Sequence, residues 1–380
     1  MYCRLSKILV LGYSLWSSLT SAQVLPSRQQ IDRWLTPLGA SRTFDSSHGI
    51  DWGIMPGPFY TPELGVGLGM VVAGLYRPDA NDHISQNSSV TVSGYASSTG
   101  AAGLHLNNYS FYDNDRWRLF TEATLSHTPT WYWGRGFAAG RQNRNRVKYI
   151  SQEISVIPQV LRQIAPDTYL GAGWSLNNMQ AGGIRDKHRP GPEQQADGQG
   201  VFSSGPLLSL SYDSRDFVPN PHRGIDASLQ YIRYRRQTGS DTGFDAWTAH
   251  FSAYHALDDK RVIAFEINGA FTSGQVPWNM QPLLGDSNHF RGYYPGRYRD
   301  RNVITTQLEY RHALSWRNGV VGWIGSGTMA PNFSASLAER WLPTVGAGYR
   351  FEFKPGMNIR LDYGIGRGSS AFYFQAGEAF

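Results

Sequence analysis

The sequence predicts an all-β protein, a transmembrane antiparallel β-barrel of about sixteen strands, with fourteen as the alternative. Three observations support this: a secretory leader pattern, many short runs that alternate apolar and polar residues, and low hydropathy combined with many aromatic residues and glycines. The mean hydropathy is −0.40, and the 380 residues include 21 Tyr, 18 Phe, 12 Trp and 42 Gly. No segment after the leader reaches the roughly 18 apolar residues of a membrane-spanning helix, which excludes a helical membrane protein.

Residues 1–22 are predicted to form a signal peptide. Arg4 and Lys7 precede a short apolar run at residues 8–16, and small residues lead up to Ala22. This order of a basic, an apolar and a small-residue region is typical of a secretory leader, and the apolar run is too short to span a membrane. We therefore expect the mature chain to leave the cytoplasm.

The mature chain is predicted to have two parts. Residues 23–56 form a short periplasmic N-terminal segment, in which a helix begins after Ser27 and ends before Pro37. Residues 57–380 form the outer-membrane barrel. Without the leader, the 33 basic side chains exceed the 29 acidic ones by four. This mild positive charge favours outer-membrane lipid and lipopolysaccharide phosphates as partners and does not indicate nucleic acid.

Strand alternation distinguishes a barrel from a large secreted β-sandwich, the soluble alternative. One face of a barrel strand meets lipid and the other meets a polar lumen. We count fifteen alternating runs, the first at 64–76 and the last at 371–380. Because single-chain bacterial barrels normally have an even number of strands, we expect one more strand within the long run 116–133.

The last alternating run carries an expected assembly signal. Phe372 and Phe374 share one face, and we expect the chain to end at Phe380 on that same face. A terminal aromatic residue on an alternating strand is a recognition signal for the outer-membrane barrel assembly machinery. We therefore predict that machinery as a partner during biogenesis.

The segment 290–301 is the most unusual connection between two strands. It contains four arginines, four aromatic residues and two glycines, which is too charged for a core and too aromatic for an ordinary solvated turn. Such a composition suits a loop that folds back and is held by ionic and stacking contacts. The motif residues are Phe290, Arg291, Gly292, Tyr293, Gly296 and Arg299.

Three motifs together resemble the barrel of the BamA/TamA family of outer-membrane proteins, also called bacterial surface antigens. They are the 290–301 segment, the turn Tyr212-Asp213-Ser214-Arg215-Asp216, and Ile359-Arg360-Leu361-Asp362-Tyr363-Gly364 with the closing strand. The resemblance covers residues 57–380. The N-terminal segment is short, so the chain resembles members without the periplasmic POTRA domains that receive client proteins.

The resemblance implies sixteen strands and an extracellular loop that folds into the lumen, with five strands after it. It also implies that Arg291 pairs with acidic residues on the inner wall, as an arginine buried in a narrow lumen requires. The family often places an aspartate where this chain has Gly325. The candidate partners are therefore Glu309, Asp362 and Asp213, the first two being favoured.

The leading functional hypothesis is a role in outer-membrane protein or envelope biogenesis. A polypeptide or lipid would be inserted or moved through a barrel whose first and last strands part, which we expect at 64–76 and 371–380. The glycine-rich first strand has few side chains to anchor it. The alternative is a passive channel or structural barrel, plugged by the 290–301 segment.

The sequence contains no recognisable enzyme, metal or cofactor motif. Gly-x-Ser-x-Gly and His-Glu-x-x-His are absent. Four histidines in or near strand ends lack a nucleophile context. We therefore predict no enzymatic activity, no metal site and no cofactor, with a polypeptide client as a possible partner. The four histidines are His250, His255, His289 and His312.

Overall fold

The computed structural model describes residues 28–39, 49–61, 64–184, 200–315, 317–332, 334 and 340–380. The expected signal peptide at 1–22 lies outside the described residues. A 16-stranded sheet, in which each strand pairs antiparallel with the next along the chain, dominates the structure. This confirms the predicted all-β fold and the count of sixteen strands.

The chain order of the sixteen strands is also their order in the sheet. The first eight are β1 Asp51–Thr61, β2 Gly65–Tyr76, β3 Ser88–Ser97, β4 Ala102–Tyr112, β5 Trp117–Tyr132, β6 Val147–Ala165, β7 Thr168–Gly182 and β8 Gly200–Asp213. The last eight are β9 Gly224–Tyr234, β10 Phe244–Ala256, β11 Arg261–Gly274, β14 Asn302–Ser315, β15 Asn318–Ala330, β16 Leu342–Lys354, β17 Met357–Gly366 and β18 Ser369–Ala376. Two short strands, β12 Leu283–Leu284 and β13 Tyr298–Arg299, pair separately between β11 and β14.

Within the described residues, helices are few and short. The helix α1 spans Arg28–Leu35, where the sequence predicts one, and α2 spans Phe137–Arg141. No helix within the described part of the chain is long and apolar enough to cross a membrane. The 3₁₀ turns are Thr36–Leu38, Asn143–Asn145, Arg236–Thr238 and Trp278–Met280.

The sixteenth strand lies at the N-terminal end of the barrel, where the sequence analysis did not place it. β1 pairs with β2 along its whole length, from Asp51 opposite Leu75 to Thr61 opposite Gly65. The barrel therefore begins six residues before the expected start at 57, and 51–56 belong to the wall. The expectation of an extra strand within 116–133 was wrong, because β5 runs through that region as one strand.

Prolines and glycines explain why the sequence of β1 does not show the alternation of apolar and polar residues. Its sequence includes Gly53, Pro56, Gly57 and Pro58, which read as a turn. Pro56 and Pro58 stand two residues apart, so their missing N–H groups belong to the same side of the strand. Proline is tolerated at a sheet edge, and β1 is one end of the sheet order.

The two ends of the sheet order, β1 and β18, meet at a seam. No hydrogen-bonded ladder joins β1 to β18 among the described residues. The Phe374 ring of β18 lies so close to Gly57 of β1 that a Cβ on this glycine would be 2.4 Å from Phe374 Cε2. The barrel is therefore nearly closed, with side-chain packing at the seam.

The strands separate a lipid face from a lumen face. On β2, Leu68 is 71% exposed while Val71 is 2% exposed. On β14, Leu308 and Tyr310 are exposed, whereas the intervening Glu309 is fully buried. Exposed apolar side chains on one face and buried polar ones on the other are what a membrane barrel requires.

The two rims carry connections of different lengths, although each rim has both short and long ones. The connections 166–167 and 355–356 at one rim are two-residue turns, whereas 133–146 and 275–301 at the other are long. Short turns face the periplasm in barrels of this kind and longer loops face outward. We call the connection 275–301, between β11 and β14, the lumen loop. At the short-turn rim, α1 is held by the Asp32–Arg317 ion pair at 3.4 Å.

A cysteine pair tests the register of β1. Ile54 and Val72 are directly opposite and share a face, so Ile54→Cys with Val72→Cys should form a disulfide on mild oxidation. Ile54→Cys with Ala73→Cys is the control, because neighbouring residues on a strand face opposite sides. Mobility on non-reducing gels measures the yield, and equal yields for the two pairs would contradict the register.

Candidate functional site

The lumen loop fills the barrel interior next to β14–β18. Phe290, Arg291 and Tyr293 are each 0% exposed. The Phe290 and Tyr293 rings stack with centroids 5.0 Å apart. β12 and β13 pair through Leu283 opposite Arg299, which closes the base of the loop. The motif residues thus form a packed plug held inside the wall.

Arg291 is the centre of this plug. Its Nη2 donates to Glu309 Oε2 at 2.5 Å, and its Nη1 donates to Asp362 Oδ2 at 2.7 Å. Its guanidinium carbon lies 3.6 Å from the centre of the Trp323 ring. All of these ionic groups are 0% exposed, and a buried arginine needs such partners because removing its hydration is costly. The structure therefore brings together Arg291 and the two favoured candidate partners.

Three further arginines extend the ion pairs into what we call the arginine network. Arg350 pairs with Asp362 and, at 2.7 Å, with Glu378 beyond β18. In the network, four guanidinium groups face three carboxylates, and several remaining donors go to main-chain oxygens. Its members are Arg291, Arg311, Arg350, Arg360, Glu309, Asp362 and Glu378.

Strand register places two glycines in line with Glu309 and Trp323 under the loop. Glu309 is opposite Trp323, which is opposite Gly346, which is opposite Gly364. A Cβ on Gly346 would be 2.1 Å from Trp323 Cζ2, and one on Gly364 would be 2.8 Å from the Gly292 nitrogen. These glycines let the indole lie along the wall and let the loop backbone approach it.

The Gly292–Tyr293 backbone is fixed by two tyrosine hydroxyls. Gly292, at a φ of +102°, donates its N–H to the hydroxyl of Tyr373 on β18 at 2.9 Å. The Tyr293 hydroxyl donates to the Pro343 carbonyl at 2.6 Å and accepts the Arg367 N–H at 2.9 Å. Burial raises the pKa of Tyr293, which favours the protonated hydroxyl that this donation needs.

Gly325 stands where the family resemblance suggests an aspartate, and the packing around it leaves no room for a side chain. It is opposite Gln307 and Thr344 on the lumen face, and a Cβ there would be 2.6 Å from the Thr306 carbonyl oxygen. Gln307 Oε1 accepts hydrogen bonds from Arg291 at 3.4 Å, and the Thr344 hydroxyl donates to the Arg291 carbonyl. Sequence reasoning missed both neighbours, although both lie on polar strand faces.

Gly296 and Arg299, the other motif residues, anchor the outer part of the loop. Arg299 Nη1 donates to the Trp278 carbonyl at 3.1 Å, and Nε donates to the Gly296 carbonyl at 3.3 Å. Its guanidinium carbon lies 4.9 Å from the centre of the Tyr132 ring on β5. Two arginines of the motif therefore hold the loop at opposite walls.

Asp213 lies outside the arginine network. Its Oδ2 is 2.6 Å from Arg118 Nη1, and its Oδ1 is 2.8 Å from Arg215 Nε. The strand pattern shows correctly that Asp213 faces inward, but it does not show which arginine reaches it. The nearest guanidinium in sequence, two residues later, takes one oxygen, so Asp213 is not placed as a partner of Arg291.

The three aromatic residues of the expected assembly signal do not share one face. β18 ends at Ala376, so Phe380 lies beyond the strand. Its main-chain oxygen accepts a hydrogen bond from Arg311 Nη2 at 2.8 Å, and its ring centre is 5.7 Å from that guanidinium. Phe372 stands opposite the exposed Tyr363, and Phe374 packs at the seam. Their role in assembly remains a prediction.

A cavity of about 790 Å³ adjoins the lumen loop. Charged and polar side chains from several strands line it, together with the seam residue Phe374. The interior therefore holds a space next to the plug that is large enough for water molecules. Lining residues with titratable groups include Glu122, Asp226, His250 and His289.

Sixteen antiparallel strands, a polar lumen and an inward loop pinned by a buried arginine define a multi-strand outer-membrane barrel of the Gram-negative type. The chain belongs to the Omp85 superfamily, whose domain matches residues 86–380. This confirms the predicted family relationship and localisation. A comparison with curated proteins finds no match.

Three solved structures are similar in fold. BamA from Haemophilus ducreyi lacking POTRA domains 1–3 shares 13% identity over 86% of this chain and 69% of its own, with a TM-score of 0.51. CdiB from Acinetobacter baumannii shares 13% over 85% and 58%, with a TM-score of 0.52. CdiB from Escherichia coli shares 11% over 88% and 62%, with a TM-score of 0.54. The chain thus spans less than two thirds of either CdiB chain.

Replacing Arg291 tests the plug. Arg291→Ala takes one guanidinium group away from Glu309 and Asp362, which keep other arginine partners. The cost should therefore stay below the roughly 3–5 kcal/mol of a buried charge left wholly unpaired. We expect a lower thermal unfolding temperature in detergent. The measurement is the heat-dependent gel shift of folded barrels. Arg116→Ala, in an exposed turn, is the control and should change little.

The pairing itself is tested by a double-mutant cycle. Arg291→Met combined with Glu309→Gln should destabilise the barrel by less than the sum of the single changes, because the two residues form one buried pair. Additive effects would contradict a direct contribution of this ion pair.

Proposed function

We propose that this barrel inserts or moves a polypeptide at the outer membrane by parting β1 from β18. The observation that carries the proposal is the seam, where the sheet order ends and packing replaces a ladder. The strands that part are β1 and β18. β18 corresponds to the 371–380 run expected from sequence, whereas the expected 64–76 run is β2, and β1 precedes it. The proposed activity is not enzymatic.

The β1 side of the seam has no ladder to β18 among the described residues and is held by side chains, among them Asp51, which pairs with Lys354 of β16 at 2.5 Å. Pro56 and Pro58 remove two N–H groups from β1, and Gly67 and Gly69 of the neighbouring β2 contribute no side chains. Fewer hydrogen bonds and contacts lower the free energy needed to separate an edge strand. The first hairpin is therefore the part of the wall that opens most readily.

The β18 side is held by the loop. Tyr373 of β18 receives the Gly292 N–H, and Glu378 just after β18 pairs with Arg350. Asp362, on the adjacent β17, pairs with Arg291. Because β18 is tied to the lumen loop and to β16, we infer that it is the fixed side of the seam and that β1 is the strand that moves.

The family supports this proposal. Resemblance to the BamA/TamA barrels implies protein insertion or translocation, and the BamA and CdiB folds resemble this one. We accordingly propose a polypeptide client, with the barrel assembly machinery acting on this chain during its own biogenesis. Outer-membrane lipid and lipopolysaccharide would surround the wall.

A reversible cross-link at the seam tests the function. Gly57→Cys with Phe374→Cys, bridged by a short thiol-specific reagent that reductant removes, should hold β1 to β18. In cells that depend on this protein, we expect the cross-link to lower the amounts of client outer-membrane proteins several-fold, as measured by quantitative proteomics. Reductant should restore them.

The control cross-link lies in an intact ladder of the same barrel. Leu308→Cys with Ile324→Cys joins directly opposite residues of β14 and β15, so it should leave the seam free and the client proteins unchanged. The proposal is wrong if both cross-links, or neither, change the outer-membrane proteome.

A solute channel is the second candidate, favoured by the cavity beside the lumen loop. In this function Arg291 would keep the plug in place. Arg291→Ala should then raise single-channel conductance in planar bilayers well above that of the wild-type barrel, with Arg116→Ala as the control. Absence of a pore in all three proteins would exclude the channel.

A further inference from the structure

We propose that His250, Glu266 and His289 form a binding site for a divalent transition metal, with zinc as the best match, in the barrel lumen. One potential ligand atom from each residue lies within 4.8 Å of the other two. His289 Nδ1 is 2.6 Å from Glu266 Oε1, and His250 Nδ1 is 3.5 Å from the same oxygen. The proposal does not depend on the proposed function.

The ligand chemistry favours zinc over calcium or magnesium. Two imidazoles and one carboxylate are a known zinc ligand set, and such sites keep a fourth position for water or a solute. Bonds of about 2.0–2.2 Å in a tetrahedral site place ligand atoms roughly 3.4 Å apart. The spacing here requires only small side-chain rotations to reach that geometry.

The side chains behind the ligands have the arrangement that metal sites use. If His250 binds through Nδ1, its Nε2 faces the Ser252 hydroxyl at 2.9 Å and Asp226 Oδ2 at 3.7 Å. A hydrogen-bond partner such as the Ser252 hydroxyl fixes the tautomer and orientation of a metal-binding histidine. Gln307 Nε2 lies 3.3 Å from Glu266 Oε2, so the carboxylate is oriented as well.

The burial of the carboxylate and the access of solvent to the two histidines also suit a metal site. Glu266 is 0% exposed, and the two histidines are partly exposed. Both histidines line the 790 Å³ cavity, so an ion can reach the site from it and a fourth ligand can come from solvent. A buried carboxylate held between two imidazoles is a stronger basis for a cation site than surface charges.

The site would join separate parts of the barrel. His250 lies on β10, Glu266 lies on β11, and His289 lies in the lumen loop immediately before Phe290. Gln307 contacts both Glu266 and Arg291. A bound metal would therefore clamp the loop to the β10–β11 wall, in addition to the clamp that Arg291 makes at β14 and β17.

Metal titration of the folded, tag-free barrel in detergent tests the proposal. After chelator treatment and dialysis, calorimetry with Zn²⁺ should show one site per chain, and Co²⁺ should give the visible absorption of a four-coordinate ion. Mg²⁺ and Ca²⁺ should not compete. Zn²⁺ should also raise the thermal unfolding temperature, because a ligand that binds the folded state stabilises it.

Matched variants identify the ligands. His289→Gln should abolish the site, and Ser252→Ala, which removes the hydrogen-bond partner of His250 Nε2, should weaken Zn²⁺ binding by about 10- to 100-fold. His105→Gln is the control, because His105 lines the same cavity but bonds Thr124 instead. The heat-dependent gel shift checks that each variant folds. If His289→Gln does not fold, His250→Gln is used in its place.

Two results would overturn the proposal. If folded wild-type barrel binds no Zn²⁺ or Co²⁺, the trio is an imidazole–carboxylate contact that only positions the loop. If binding is the same in wild type and in folded His289→Gln or His250→Gln, the metal binds elsewhere.

Discussion

Desolvation of one guanidinium group organises the interior of this barrel. Arg291 has no exposed surface, so its charge must be balanced by groups that the wall presents at fixed places. Glu309 and Asp362 provide the charge, and Trp323 provides an aromatic face. Gly346 and Gly364 then follow, because a larger residue at Gly346 would displace the indole and one at Gly364 would displace the loop.

The same constraint makes the barrel mechanically unequal along its circumference. Ion pairs and tyrosine hydrogen bonds tie β14 to β18 into one unit with the lumen loop. At the other side of the seam, β1 has two prolines and a glycine-rich neighbour. If the seam opens as proposed, β18 and the lumen loop therefore stay fixed, and β1 moves once its ion pair between Asp51 and Lys354 is broken.

The sequence predicts the barrel because alternation and composition are local signals, although alternation alone gives fifteen strands. The sixteenth strand and the inward fold of the loop are what the family resemblance implies. The alternation does not reveal β1, since Pro56 and Pro58 imitate a turn where a sheet edge tolerates them. The alternation of a strand also shows locally which side chains face the lumen, as Asp213 and Asp362 both do. Which of them contacts Arg291 depends on the register between distant strands, and no local pattern shows that. The His250, Glu266 and His289 trio has no motif for the same reason, as three separate elements supply it.

The connectivity of Arg291 implies an order of events during folding. Each wall strand pairs with its neighbour in sequence, so hairpins can be added one after another with short loop closures. Glu309 follows Arg291 by only 18 residues, but Asp362 follows it by 71. If the hairpins are added in this order, Arg291 lacks one of its two carboxylate partners until β17 is in place. Full burial of the lumen loop then requires a nearly complete wall.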